Sequence, residues 1–444
     1  MSYQQVDLVE VRAWGQTVGA VALDPASGFY AFEYDDGWIA TGRALAPLHL
    51  PARPGTFTFP DLNPQTYFRL PTMLADALPD RFGKALVDAW LAENGVPREQ
   101  VTPLDRLAYA ATRAMGALTF HPPADRPATE ATAIQLADLV TAARAAISTD
   151  LHGGITDEPT ALADALRQLI QVGTSAGGAR AKAVVAYNPE TGQIRSGQVD
   201  APAGYEQWLV KLDGIGTDPS REDDFGPAVD PERAPYCRIE YAYYLMALDA
   251  GVVISECRLL PEGARTHFLT RRFDRGEGGE RIHLQSLCAL AHLDFNLADT
   301  HSYSQYLSTV AQLELGSEAL EQAYRRMVLN VAAVNRDDHT KNVAFQLPQD
   351  GAWALAPAYD ITHAHSPRGE WTQRHQMSVN GAFDGITRAD LEAVGDRHLV
   401  PGYASVIDDV LGAVDRWTAH AEAAGINQSV TDRIAADLKR HSPK

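Results

Sequence analysis

The sequence has only three cysteines, Cys237, Cys257 and Cys288, and no two of them form a CxxC pair. That excludes a disulfide framework and leaves the thiols as small core residues in a reducing compartment. No uninterrupted apolar run reaches the length of a membrane span. The opening residues, MSYQQVDLVEVRAWG, lack the apolar stretch of a secretory signal, so the expected location is the cytoplasm. Basic residues are in the minority: 38 Lys and Arg against 57 Asp and Glu give a net charge of −19. Such a surface repels phosphate backbones, so no direct DNA binding by this chain alone is expected, although a basic partner could bring it to DNA. Internal repeats and low-complexity tracts are missing as well.

What is present suits a soluble globular protein. Hydrophobic residues make up 45% and charged residues 21% of a chain of 444 residues, enough for a large core in two or three domains. Toward the N-terminus VDLVEVRAW, TVGAVALD, FYAFEYD and WIATG alternate apolar and polar residues and read as short strands. A helix is expected from about Pro71 to Asn94, closing on Gly95. HPPADRPATE reads as a linker, followed by helical patterns over Ala131–Ile147 and Glu158–Gln171 and by the small-residue run GTSAGGARA. KAVVAYN and EQWLVKLD read as strands, the Asp-, Glu-, Gly- and Pro-rich stretch at 214–235 as a loop, and Tyr236–Ala250 as a helix. Strands are expected around Val252–Leu260 and Arg265–Asp274. Beyond His283 the pattern is mainly helical, with amphipathic segments at Ser317–Ala333, Tyr403–Ala424 and Ser429–Arg440. The expected class is α+β: a small β-rich domain over 1–125, a sheet-rich lobe over 126–280 and a helical lobe over 281–444.

The polar motifs sit at the junction of sheet and helix. In VNRDDHTKNVAF, Asp337 and Asn342 are five residues apart, the spacing of a kinase catalytic loop. One rigid loop must hold a carboxylate against the acceptor hydroxyl and an amide oxygen against Mg²⁺, because phosphoryl transfer depends on positioning and charge neutralisation. The bland reading is a polar helix-to-strand turn. Asp360, in APAYDITHA, is placed to supply a second metal carboxylate; otherwise it is a turn or cap residue. The nearby His363 and His365 could pair on a metal, but without a further ligand at recognisable spacing they read as surface or core histidines. Ser175, Gly177, Gly178, Ala179, Arg180 and Lys182 form a loop whose small residues would let backbone amides approach phosphates, although it lacks the GK[ST] ending of a Walker A loop. Lys211, between Val210 and Leu212, either meets phosphate oxygens or lies solvated on an edge strand. In chain order these are a Gly-rich loop, a strand lysine, a catalytic Asp and Asn, and a metal Asp.

With these motifs the chain resembles the HipA family of kinase toxins from bacterial toxin–antitoxin modules, over nearly its whole length. GGARAKAVV resembles the family's phosphate loop, WLVKLD its nucleotide-lysine strand, RRFDR its hinge, and NRDDHTKN and PAYDI its catalytic and metal loops. VGAVALD, FYAFEYDDGWI and LADALPDRFG resemble its N-terminal domain. The resemblance implies a two-lobed protein-kinase-like fold and a serine/threonine kinase using ATP and Mg²⁺. It makes Asp337 the base, Asn342 and Asp360 the metal ligands and Lys211 the α/β-phosphate lysine, with Glu240 as a possible partner. Phe273 would lie at the adenine hinge, His339 and Lys341 of the catalytic loop would join the nucleotide site, and Ser175 would be autophosphorylated, with Thr174 as the neighbouring candidate. It further implies a protein substrate such as an aminoacyl-tRNA synthetase and a small helix-turn-helix antitoxin, HipB-like, as partner. Arg271 departs from the family's usual Glu, Ala181 from its proline, and Gln285-Ser286 from its acidic pair. The alternatives are a small-molecule phosphotransferase and a non-catalytic pseudokinase subunit of a repressor complex.

Overall fold

The protein is described by a computed structural model that covers residues 3–79, 81–123, 182–197, 199–213, 235–276, 278–369 and 371–443. The expected helices at 131–147 and 158–171, the loop at 214–234 and residues 174–181, with Ser175, Gly177, Gly178, Ala179 and Arg180, lie outside the described residues. The chain separates into two compact units, one built from Met1–Gly216, Arg271–Gln285 and Leu347–Gly351 and the other from Thr217–Thr270, Ser286–Gln346 and Ala352–Lys444.

In the first unit Leu8–Ala13, Gln16–Asp24 and Phe29–Tyr34 pair antiparallel, and Leu118–His121 adds to the outer edge of the first strand. The turns fall where Gly15 and Gly28 supply positive φ, at 77° and 71°. Alternation places Val9, Val11, Val18, Val21 and Phe32 in the core. WIATG is not a strand. Asp35 Oδ1 accepts from Gly37 N at 2.8 Å, and this cap starts a short helix over Asp36–Ile39. The expected long helix is also interrupted. Thr72–Ala75 and Arg81–Glu93 are separate helices, parted at Pro79, which cannot donate to a helical ladder. Further along, Lys182–Tyr187 pairs antiparallel with Ile194–Ser196 and Glu206–Lys211.

The segment Arg271–Gln285 is fastened within this unit by buried charge. Arg272 donates through Nε and Nη2 to Asp274 at 2.9 and 2.7 Å. Arg275 Nη1 and the backbone N–H of Gly116 each reach Asp274 Oδ2 at 2.7 Å. Gly116 has φ +81°, and a Cβ there would stand 3.0 Å from Leu284 N, so this approach needs glycine.

In the second unit Tyr236–Asp249 is helical, and Cys257–Glu262 pairs antiparallel with Arg265–Thr270 as a hairpin. Helix Gly316–Ala332 packs against Tyr303–Gln312 and Tyr403–Asp415, burying Tyr324, Met327, Val328, Leu329, Ile407 and Val410. Each such side chain contributes about 1.5–3 kcal/mol on burial. Ser302 with Gln305, and Thr387 with Asp390, form capping boxes that set two helix starts. The expected helix at 403–424 is two, Tyr403–Asp415 and Trp417–Ala423, and the last helix runs over Gln428–His441. All three cysteines are buried as thiols. Among the described residues no helix is long and apolar enough to cross a membrane.

Candidate active site

Helix Gly316–Ala332 delivers the chain into the motif 335–342, and the exit is forced: Val334 takes φ +54°, costly for a β-branched residue. The backbone after it is tied to the segment beyond Asp360. Arg336 N donates to Ala364 O at 3.0 Å and Ala364 N to Val334 O at 3.2 Å. Asn342 N donates to His339 O at 2.9 Å, and the Asn342 amide nitrogen donates to Asp337 O at 2.7 Å. With Nδ2 so committed, Asn342 has its Oδ1 available to a cation. Tyr359 Oη holds Lys341 O at 2.8 Å, while Lys341 Nζ lies 5.4 Å over the Phe295 ring.

Asp337 is half-buried and Asp338, beside it, is buried. Asp338 accepts from Tyr303 Oη at 2.7 Å and from Gln376 N at 2.7 Å, and its Oδ2 is 2.8 Å from His375 Nδ1. The chain continues backwards: Asn330 Nδ2 donates to Tyr303 Oη, and Asn335 Nδ2 to Asn330 Oδ1, both at 2.9 Å. The two residues flanking Arg336-Asp337 are thus fixed by one buried network. Burial pushes the Tyr303 phenol well above its ordinary pKa, and the Asp338 charge adds to this, so Tyr303 is a permanent donor.

A small cleft opens here, lined by Asn335, Asp338, His339, Asn342, Asp360 and Arg326 among others. His339 Nε2 stands 3.7 Å from Asp337 Oδ1. Asp360 takes φ +57°, a left-handed conformation in which Asp and Asn are the most tolerated non-glycine residues. Burial lowers the Arg326 pKa, and its Nη2 donates to Val253 O at 3.2 Å. Two oxygen donors, Asn342 Oδ1 and the Asp360 carboxylate, on one cleft are a hard-ligand set of the kind Mg²⁺ takes.

Of the residues singled out from sequence, the second unit brings together Asp337, His339, Lys341, Asn342 and Asp360. Lys182, Lys211 and Phe273 belong to the first unit. Lys211 faces Lys182 directly across an antiparallel pair, and both are buried, so Lys211 is not a solvated edge lysine. Phe273 is half-buried between Arg272 and Asp274. Sequence reasoning missed Asp338, Tyr303, Asn330, His375 and Arg326; the doubled Asp in NRDDH was the available signal for the first.

The model of the HipA-like C-terminal domain matches residues 174–443, and that of the HipA N-terminal domain matches residues 9–121. The chain belongs to the HipA family. A solved Shewanella oneidensis complex of the toxin–antitoxin proteins HipA and HipB with operator DNA aligns with a TM-score of 0.64 at 16% identity, covering 98% of this chain and 97% of that one. The fold is therefore the HipA one: mixed α+β, kinase-like, behind an N-terminal domain. A curated relative named "Putative kinase Y4dM", from Sinorhizobium fredii, is 24% identical over 221 residues, 46% of this chain and 53% of its own length. The chain thus spans about half the length of that relative.

Proposed function

We propose that this HipA-family chain is a Mg-ATP-dependent serine/threonine protein kinase acting as a growth-inhibiting toxin. The observation that carries the reading is the convergence of Asn342 and Asp360, eighteen residues apart, on one cleft beside the Asp337 loop. In this reading Asp337 accepts or orients the proton of the acceptor hydroxyl, and His339 and Lys341 add to the nucleotide site. Asn342 Oδ1 and the Asp360 carboxylate would hold Mg²⁺, which when bound neutralises phosphate charge. Lys211 would hold the α/β-phosphates, with Lys182 opposite it on the paired strand; Phe273 would border the adenine, and residues 175–180 would supply backbone amides to the phosphates. Ser175 is the expected autophosphorylation site.

The proposed division is a β-rich domain over 1–125, a nucleotide lobe over 126–280 and a helical lobe over 281–444, and the matched N-terminal family region at 9–121 supports the first boundary. The partner is a small HipB-like helix-turn-helix antitoxin through which the acidic chain reaches DNA, and the substrate is a protein such as an aminoacyl-tRNA synthetase.

The test is labelling of a bacterial lysate by the purified chain with Mg²⁺ and labelled ATP. Labelled protein bands are expected with the wild type and none with Asp337→Asn. A labelled small product instead of a protein, or equal labelling by a folded Asp337→Asn variant, overturns the reading.

A further inference from the structure

Away from the cleft, four side chains from two parts of the chain converge. His363 and His365 flank Ala364, while Asp437 and His441 lie four residues apart on helix Gln428–His441 and so share a face. His365 Nδ1 is 2.7 Å and His363 Nε2 3.0 Å from Asp437 Oδ2, and His441 Nε2 is 3.5 Å from Asp437 Oδ1. One donor atom each of His365, Asp437 and His441 lies within 4.8 Å of the others, and the His365 and His441 rings meet edge to face at 4.8 Å. None of the four lines the catalytic-loop cleft.

We propose that His363, His365, Asp437 and His441 form a site for a borderline divalent transition-metal ion of the zinc class. Three imidazoles and one carboxylate are a zinc-type donor set, whereas magnesium prefers oxygen alone. The sequence offered only the H-x-H half; the helix supplies the missing D-x3-H half. A second observation points the same way: His441 Nε2 is buried and has no hydrogen-bond partner, although it faces the carboxylate that the other two imidazoles share.

The surroundings set the cost of loading. Arg336 Nη2 lies 3.0 Å from His441 Nδ1, and because a guanidinium only donates, His441 carries its proton on Nε2 in this state. Ligation through Nε2 moves that proton to Nδ1 and releases the Arg336 contact. Arg336 retains Asp384 at 2.7 Å and the Gln373 carbonyl. His363 and His365 likewise bind as neutral rings, each with its proton on the non-ligating nitrogen. Arg440, 3.7 Å from Asp437 Oδ1 with its side chain 68% exposed, is free to swing into solvent.

The experiment is titration of the chelator-stripped full chain with Co²⁺, read by its ligand-field absorption, followed by displacement with Zn²⁺. One equivalent with the strong absorption of a tetrahedral site is expected, unchanged in Asp360→Asn and lost in the His363→Gln/His365→Gln double variant. His441→Gln, on the last helical turn, should weaken uptake by about tenfold or more and serves if the double variant does not fold. No stoichiometric uptake by the wild type, or equal uptake by the folded variants, overturns the site. Metal uptake is read without any phosphoryl transfer, so its failure and that of the kinase reading are distinguishable.

Discussion

The Tyr303 hydroxyl donates to the Asp338 carboxylate across 2.7 Å, joining helix Tyr303–Gln312 to the loop that carries Asp337. Asn330 and Asn335 extend this bond to the near side of Asp337, and His375 and Gln376 extend it to the segment beyond Asp360. Tyr303→Phe keeps the ring but leaves a fully buried carboxylate short of a donor. The expected cost is about 1–3 kcal/mol in chemical denaturation. Since the loop loosens without losing any group that touches ATP, kcat should fall between about tenfold and about a hundredfold, with little change in KM for ATP. Wild-type kcat in a measurably destabilised Tyr303→Phe would show that the network serves stability alone.

Asp360→Asn separates charge from backbone conformation. Asn tolerates the left-handed φ of +57° as Asp does, so the melting temperature should hardly move. The carboxylate is lost, however, and with it the proposed metal ligand. ATP titrations at rising Mg²⁺ should show tighter binding in the wild type and a much weaker Mg²⁺ response in Asp360→Asn. Equal Mg²⁺ responses in both proteins would remove Asp360 from the metal site.

The parts of this site that were legible in the sequence are those whose chemistry must lie within one loop. Asp337 and Asn342 share five residues of chain, so their spacing is a direct imprint of geometry. The apolar neighbours of Lys211 left a phosphate contact and a solvated edge position both open, and its burial removes the second. The partners of Asp338 were hidden because Tyr303 is 35 residues upstream and His375 37 downstream, and only packing brings them together. The same holds for Asp437, 74 residues from His363. Local errors had local causes: Asp35 turned an apparent strand into a capped helix, and Pro79 divided a continuous apolar period.

Asp274 offers a prediction for the first unit. Its side chain is fully buried between Arg272 and Arg275. Burial alone would raise its pKa, but the two guanidinium groups reverse this and hold it far below the carboxylate range. Because the folded pKa is depressed, the stabilisation is present above the ordinary carboxylate pKa and is lost only in strong acid. Asp274→Ala leaves two buried cations without their carboxylate and should cost about 3–5 kcal/mol at neutral pH. A loss below about 1 kcal/mol in denaturant titration would mean that water replaces the carboxylate easily.

His283 gives the chain a pH dependence in milder conditions. Its side chain is buried and its Nε2 is 2.9 Å from Leu45 O, so Nε2–H donates and the ring is neutral. Burial lowers its pKa from 6.5 to about 4, against a smaller opposing effect of the Leu45 carbonyl. The sign follows from which state takes the proton first. As pH falls through about 6.5 the unfolded chain protonates His283 while the folded one does not, so folding loses free energy steadily. The loss stops once pH passes about 4, where the folded ring protonates too, and it amounts to about 3 kcal/mol over that window. His283→Gln keeps an N–H donor for Leu45 O but cannot titrate. Unfolding free energies of the two proteins should therefore converge on acidification from about pH 7 to about pH 4, the wild type losing the more. A difference between them that stays constant across that range would show that His283 remains accessible to protons in the folded chain.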